Sequence, residues 1–154
     1  MEMMADNIMI DTNVLIYATV SKSPFFVASQ QAISQYVNLG YTLWINRQII
    51  WEYMVIKSRL MFDEQRYNEN LLISEFDYLV NNYKVADEVS ATSAALASLI
   101  KRYKILGKQV HDANILGTCI VENISMLLTK NSNHFTRFSS EGMDIIPLLS
   151  SQGI

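Results

Sequence analysis

The stretch MIDTNVLIYA, residues 9–18, leads an apolar run into a single acidic residue, Asp11. The run NIMID has the apolar character of a buried strand of about five residues, and the residues after it are compatible with a helix. Asp11 is therefore predicted at a junction between a strand and a helix, beside Thr12 and Asn13. An aspartate in such a position is often only a helix N-cap, so its function depends on which other residues the fold brings near it.

The remainder of the chain alternates strand-like apolar runs with segments of helical spacing. Strands are predicted in YTLWIN, YKVAD, SMLLT (residues 125–129) and MDIIPLL. Helical spacing occupies residues 25–39, 47–60, 63–83, 87–106 and 107–123. This alternation predicts an α/β fold, a three-layer α/β/α sandwich around a central, mostly parallel sheet. We expect residues 1–154 to form a single domain.

Local signals predict where some of these helices begin and end. Gly40 and Gly107 are predicted to follow helix ends, because glycine readily adopts the left-handed conformation found there. Asp63 is predicted to cap the helix over residues 63–83. In the helix before Gly40, the apolar residues at roughly helical spacing are Val27, Ile33, Val37 and Leu39.

The composition excludes several broad classes of protein. Half of the residues are hydrophobic and 18% are charged, which favours a compact globule over a disordered chain. The net charge of −3 gives no overall attraction to nucleic acid, so a phosphate-binding surface has to be local. Cys119 is the single cysteine and cannot form an internal disulfide. No apolar run is long enough for a transmembrane helix, and we expect a cytoplasmic protein.

Three carboxylates are predicted at one edge of the sheet. Asp11 follows the first strand, Glu52 lies on the helix after the second, and Asp112 lies in the first turn of a later helix. Ligands of open parallel sheets bind at the carboxyl ends of the strands, where these acids converge. Their mutual repulsion favours a divalent cation between them, and oxygen ligands suit Mg²⁺ or Mn²⁺. Two histidines and one cysteine make a zinc site a poor alternative.

A cation held by carboxylates activates water and neutralises phosphate oxygens, so the matching chemistry is hydrolysis of phosphodiester bonds. Thr12 and Asn13 are short polar residues that would orient Asp11 or the water near the cation. Taken alone, each acid also has a simpler interpretation. Glu52 is equally described as an exposed charge on a helix, and an aspartate at the position of Asp112 stabilises a helix N-terminus whatever its function.

Four segments together resemble a known family. They are IMIDTNVLIYA, IIWEYM, VHDANILGTCI and MLLTKNSNHFTRF, and in this order they resemble the PIN-domain ribonucleases, particularly the VapC-like toxins of toxin–antitoxin pairs. The resemblance spans about residues 8–148. It implies an α/β/α sandwich, RNA cleavage that depends on Mg²⁺ or Mn²⁺, a homodimer and a cognate antitoxin that blocks the site.

The resemblance also assigns residues. Its three acids correspond to Asp11, Glu52 and Asp112, which are expected to be catalytic and to ligate the metal. Many members carry a further acid after the strand-end threonine, here Thr129, but this chain has Asn131 there and Asn133 two residues later. Asn131 is still expected to belong to the catalytic set, because its amide oxygen can position a metal-bound water. A neutral amide attracts a second cation less strongly than a carboxylate does, which favours one metal ion or weak binding of a second.

Basic residues near these segments are candidates for RNA binding. Lys101, Arg102, Lys104 and Lys108 precede Asp112, and Arg47, Lys130 and Arg137 lie beside the other segments. Cations at the end of a helix are equally explained by its dipole. For His111 and His134 we expect structural or surface roles, because neither has a Ser or Cys nucleophile in a recognisable setting.

The leading hypothesis is therefore a metal-dependent endoribonuclease, the toxin of a toxin–antitoxin pair. An alternative from another class is a catalytically weakened PIN-like module that binds RNA or a protein. A phosphatase that uses Asp11 as a covalent nucleophile is disfavoured, because the second Asp that such enzymes carry two positions later is Asn13 here.

Overall fold

The computed structural model describes residues 6–150, and within them five strands form one sheet. The strands are β1 Asn7–Ile10, β2 Thr42–Asn46, β3 Lys84–Ala86, β4 Met126–Thr129 and β5 Asp144–Pro147. They lie in the order β3-β2-β1-β4-β5, and every neighbouring pair is parallel. The predicted parallel sheet is confirmed, and the strand run predicted at residues 125–129 begins one residue later.

Within residues 6–150, six α-helices connect the strands. They are α1 Thr12–Tyr17, α2 Phe26–Asn38, α3 Arg47–Asp63, α4 Glu69–Asn82, α5 Ser90–Tyr103 and α6 Gln109–Val121. A 3₁₀ helix, Ser132–Glu141, joins β4 to β5 and was not predicted. None of the helices within residues 6–150 is both long enough and apolar enough to span a membrane.

The strand order places the helices in two layers. The chain moves from β1 to β2 to β3 in one direction and then returns past β1 to β4. Because crossovers between parallel strands are right-handed, α1 to α4 cover one face of the sheet, and α5, α6 and the 3₁₀ helix cover the other. The predicted three-layer α/β/α sandwich is confirmed. The direction of strand addition reverses between β1 and β4.

The strands are apolar throughout because both faces of the sheet are covered. Ile8, Met9 and Ile10 of β1 are fully buried, as is Leu127 of β4. Phe135 and Phe138 of the 3₁₀ helix, in the layer that contains α5 and α6, are buried as well. The core is thus built around β1 and β4, and this holds the ends of these two strands in place.

Short junctions fix the helices to the strand ends. The Asp11 amide donates to the Leu128 carbonyl at 3.0 Å, so pairing between β1 and β4 continues to the acid itself. At the end of β2, the buried Asn46 caps α3 by accepting from the Ile49 amide at 2.8 Å. Its own amide group donates to Thr118 of α6 at 3.2 Å. Asn46 therefore ties helices of both layers to the same strand end.

Several predicted helix details are corrected. Asp63 is the last residue of α3, and α4 is capped by Asn68, which accepts from the Leu71 amide at 3.0 Å. Lys104 follows the last residue of α5 and, with φ of 49°, takes the left-handed conformation that was predicted for Gly107. Gly107 lies instead in the turn before α6. Gly40, with φ of 83°, follows the end of α2 as predicted.

The apolar residues of α2 do not all face the core. Ile33 packs against the core, but Val27, Val37 and Leu39 are exposed. The predicted domain of residues 1–154 includes residues 1–5 and 151–154, which lie outside the described range. The assignment of a single domain stays a prediction.

Candidate active site

A cavity of about 350 Å³ opens at the ends of β1 and β4. This is where the direction of strand addition reverses, the usual ligand site of an open parallel sheet. Its walls come from α1, α3 and α6 and from the turn after β4. Six of the predicted site residues line it: Asp11, Thr12, Asn13, Glu52, Asp112 and Asn131.

Asp11 is the most enclosed of the three acids, with 6% of its surface exposed. Oδ1 accepts from the Thr12 amide at 2.7 Å, so the side chain does cap α1. Oδ2 accepts from the Thr129 hydroxyl at 2.7 Å and from the Asn13 amide group at 3.3 Å. The pKa of Asp11 is raised to about 6, mainly by burial. Hydrogen bonds from Thr129 and Thr12 act in the opposite direction, and the charges of Asp112 and Glu52 add to the increase.

Glu52 reaches the cavity from the second turn of α3. One carboxylate oxygen accepts from the Thr12 hydroxyl at 2.9 Å. The other accepts from Gln48 Nε2 at 2.8 Å and lies 3.1 Å from His111 Nδ1. Gln48 is buried, and its amide also donates to the His111 carbonyl at 3.1 Å and accepts from Asn114 at 2.8 Å. Gln48 therefore fixes Glu52 relative to the start of α6.

Asp112 faces the same cavity from the first turn of α6. Partial burial raises the pKa of Asp112, and the positive charge of a protonated His134 opposes that increase. His134 Nδ1 lies 3.5 Å from Asp112 Oδ2. The 3₁₀ helix thus brings an imidazole to this acid, as α6 brings His111 to Glu52.

The turn after β4 is held against α1 by two side chains. The Thr129 hydroxyl, which donates to Asp11, accepts from the Asn131 amide at 3.0 Å. Asn13 Oδ1 accepts from the Lys130 amide at 3.1 Å. Asn131 consequently lines the same cavity as the acids.

A second, more polar cavity of about 750 Å³ adjoins the first. It shares Glu52, His111, Asp112 and Asn131 with the first cavity. Its other lining residues include Lys108, Asn133, His134 and Arg137. Glu52 and Asp112 therefore lie between two cavities of different character, whereas Asp11 lines only the first.

The predicted basic residues are divided between the cleft and the outer surface. Lys108 and Arg137 line the second cavity, whereas Lys101, Arg102 and Lys104 do not line either cavity. The guanidinium of Arg102 pairs with Glu141. Arg47 pairs with Asp87 at 2.9 Å, and the Lys130 ammonium lies 5.2 Å from the centre of the Phe25 ring.

Sequence reasoning did not predict the hydrogen bond of Gln48 to Glu52, the place of Trp51 in the first cavity, or the contacts of His111 and His134 with the acids. The two histidines, for which we expected structural or surface roles, are half exposed, and each contacts a carboxylate. Gln48 precedes Glu52 by one helical turn, which is a signal that the sequence contains. The contacts of the histidines depend on tertiary packing, and no local pattern reveals them.

Within residues 6–150, no three side chains of Asp, Glu, His or Cys are close enough together to form a ready-made metal cage. The acids face a common space without converging on a point. Such an arrangement suits Mg²⁺, which keeps several of its waters and takes one or two carboxylates, better than Zn²⁺, which takes four direct ligands.

Several solved structures share this fold. A VapBC2 complex from Rickettsia felis, bound to a DNA fragment from its promoter, has 16% identity and a TM-score of 0.62, covering 92% of this chain and 98% of that one. A toxin–antitoxin complex from Klebsiella pneumoniae has 18% identity and a TM-score of 0.64, covering 92% and 98%. VapC20 from Mycobacterium tuberculosis, described as a Sarcin-Ricin loop cleaving toxin, has 10% identity and a TM-score of 0.62, covering 89% and 96%.

At these identities the likeness shows the fold, and the family has to be shown by sequence. No curated protein is similar enough in sequence to match the chain. A family model of the PIN domain matches residues 8–140, a range that contains all three acids of the cleft and both strands beneath them. The chain therefore belongs to the PIN domain family.

Proposed function

We propose that this protein is a metal-dependent endoribonuclease and acts as the toxin of a toxin–antitoxin pair. The observation that carries the proposal is the common orientation of Asp11, Glu52 and Asp112 into one cavity at the carboxyl ends of β1 and β4. Membership of the PIN domain family and the toxins among its structural neighbours support it.

Asp11, Glu52 and Asp112 would hold Mg²⁺ or Mn²⁺. The donors fit such an ion because they are hard carboxylate oxygens that line one cavity. Burial is the main cause of the raised pKa of Asp11, and the negative charges of Asp112 and Glu52, which a cation would offset, raise it as well. When bound, the ion would supply activation of water and neutralisation of phosphate oxygens.

The remaining residues would set the geometry of the acids. Thr12 and Gln48 hold the two oxygens of Glu52, while Thr129 and Asn13 hold one oxygen of Asp11. Asn131 would complete the rim with an uncharged amide. Its neutrality lowers the attraction for a second cation, which favours one tightly bound ion.

The proposed substrate and protein partner are inferred from the structural neighbours. RNA is the proposed substrate, and VapC20, which shares the fold, is described as cleaving the Sarcin-Ricin loop. An antitoxin is proposed because several neighbours are toxin–antitoxin complexes. A homodimer and a cytoplasmic location stay predictions.

The proposal is tested by incubating purified protein with a panel of structured and unstructured RNAs in Mn²⁺ or Mg²⁺ and mapping the new RNA ends. We expect discrete cleavage sites that vanish with EDTA and in Asp11→Asn. The matched control is Asp87→Asn, which removes an exposed carboxylate outside both cavities and should cleave as the wild type does. Full cleavage by Asp11→Asn would contradict the proposal.

A second candidate is a weakened PIN-like module that binds RNA or a protein without turnover, and Asn131 in place of an acid favours it. Incubation with RNA in saturating Mn²⁺ distinguishes the nuclease from the binding module. Cleavage supports the enzyme, whereas RNA binding without any new ends supports the module.

A further inference from the structure

One wall of the first cavity is apolar and aromatic, although three acids line the same space. Trp51, Val55 and Ile56 of α3 contribute to this wall, together with Ile16 and Tyr17 of α1. Trp51 is 49% exposed and directly precedes Glu52 in the chain. Its ring meets that of His111 edge to face, with centroids 6.1 Å apart. An indole left half in solvent beside a catalytic acid offers a stacking surface.

The opposite side of the acids is polar and basic. There the second cavity carries Lys108 and Arg137, and its boundary with the first is formed by Glu52, Asp112 and their neighbours. A ligand passing over the acids therefore has an apolar pocket on one side and two cations on the other.

A nucleotide chain matches this sequence of surfaces. The apolar wall has no Lys or Arg among its lining residues to offset the charge of a phosphate, so the phosphate belongs at the acids, where the proposed cation would offset that charge. A nucleobase carries no charge, has a flat face and stacks on indole regardless of its identity. Phosphates beyond the acids would meet Lys108 and Arg137.

We propose that the first cavity receives one unpaired nucleobase next to the scissile phosphate, stacked on Trp51, while Lys108 and Arg137 hold the backbone on the far side of the acids. The inference rests on the proposed function and deepens it by assigning Trp51, Lys108 and Arg137 to substrate binding. A base within a helix is already stacked and paired, so the target nucleotide lies in a single-stranded segment or is turned out of its helix.

Tryptophan fluorescence provides a direct test in Asp11→Asn, which is not expected to cut its ligand. The chain has two tryptophans, and Trp44 is buried, so a change in emission on binding reports on Trp51. A single-stranded RNA octanucleotide of mixed sequence should quench the emission. The same octanucleotide without bases, and a blunt RNA duplex, should leave it unchanged. In Trp51→Phe the quenching should disappear while binding is largely retained.

Affinity measured in the same background gives the second readout. Trp51→Ala should weaken binding of the octanucleotide roughly 5- to 100-fold, the range measured for one base stacked on an aromatic side chain. Phe62→Ala is the matched control, because Phe62 is an exposed aromatic residue of the same helix that does not line the cavity, and it should bind as the parent does.

The outcomes separate this inference from the proposed function. Unchanged emission and equal affinity in Trp51→Ala would overturn the base pocket while cleavage by the wild type still upheld the nuclease. Equal quenching by the octanucleotide without bases would also overturn the base pocket. Absence of both binding and cleavage would overturn both proposals and leave a protein side chain as the occupant of the pocket.

Discussion

Burial raises the pKa of Asp11 from 3.8 to about 6, so ionisation of this side chain opposes folding when no cation is bound. The cost is absent below about pH 3, where the side chain is neutral in both states, and is nearly complete above pH 6. The free energy of unfolding of the wild type minus that of Asp11→Asn should therefore fall by roughly 2 kcal/mol between pH 4 and pH 7. Urea unfolding in EDTA measures it. A difference that rises with pH would contradict the structure.

Substitution of Gln48 should affect RNA cleavage, because this side chain is buried and links Glu52 to the His111 carbonyl. Gln48→Met keeps the volume and removes the hydrogen bonds to Glu52, the His111 carbonyl and Asn114. We expect RNA cleavage to fall about 10- to 100-fold, the usual effect of losing a residue that orients a ligand. Gln31→Met, on the exposed surface of α2, is the control and should not alter cleavage. Equal activity of both variants would exclude an orienting role for Gln48.

The sequence could reveal the acids and their neighbours Thr12 and Asn13, but not the contacts that join distant parts of the chain around them. Asp11 stands at the end of an apolar run, and Glu52 is a lone charge in an apolar helix, so each is visible locally. Gln48 contacts a backbone carbonyl 63 residues away, a contact that depends on how α3 packs against α6. Long-range packing of this kind leaves no periodic signal in the chain.

At the scale of elements, α3 and α4 are joined by a charged network inside the α1–α4 layer. The Lys57 ammonium donates to Thr19 at 2.9 Å and lies 3.5 Å from Glu75, which also accepts from the Tyr53 hydroxyl at 3.1 Å. The side chain of Lys57 is 4% exposed and that of Glu75 is 21% exposed. If the pair is broken, Glu75 can therefore be hydrated, whereas Lys57 cannot.

Removing the acid should consequently cost more than removing the base. Glu75→Gln leaves a buried ammonium without its counter-charge and should destabilise the protein by about 3 kcal/mol, whereas Lys57→Met fills the same space with an apolar chain and should cost less. The double variant should recover part of the loss of Glu75→Gln. Urea unfolding checks the order, and a larger loss in Lys57→Met would refute it.

Element boundaries show where sequence reasoning reaches its limit. Strands and helices were predicted well because their apolar periods extend over many residues. Helix caps were predicted less well. Asn68 and Asp63 are both residue types that can cap a helix N-terminus, and the turn decides which of them lies at the start of α4. The 3₁₀ helix has only Phe135 and Phe138 as buried anchors, which is too few for a period to appear.

At the scale of the whole molecule, the site joins parts that sequence patterns treat separately. The strand–helix alternation predicted a parallel sheet, but not the order in which the strands lie. That order follows from packing: the return from β3 to β4 carries α6 across to the other face. Asp112 thereby approaches Asp11 and Glu52 from the opposite layer, and the resulting cleft is a property of the complete fold.

A cation shared by these acids would connect both helix layers at the sheet edge, and it would bind the folded chain only. Binding at one hundred times the dissociation constant adds about 2.7 kcal/mol to the free energy of unfolding, which raises Tm by roughly 5–10 °C for a chain of this size. We therefore expect Mn²⁺ to raise the Tm of the wild type and of Asp87→Asn in a saturable way, and to leave that of Asp11→Asn unchanged. Thermal unfolding without RNA measures this independently of catalysis. An equal rise in all three proteins would place the ion elsewhere, and no rise in the wild type would remove the metal from the proposal.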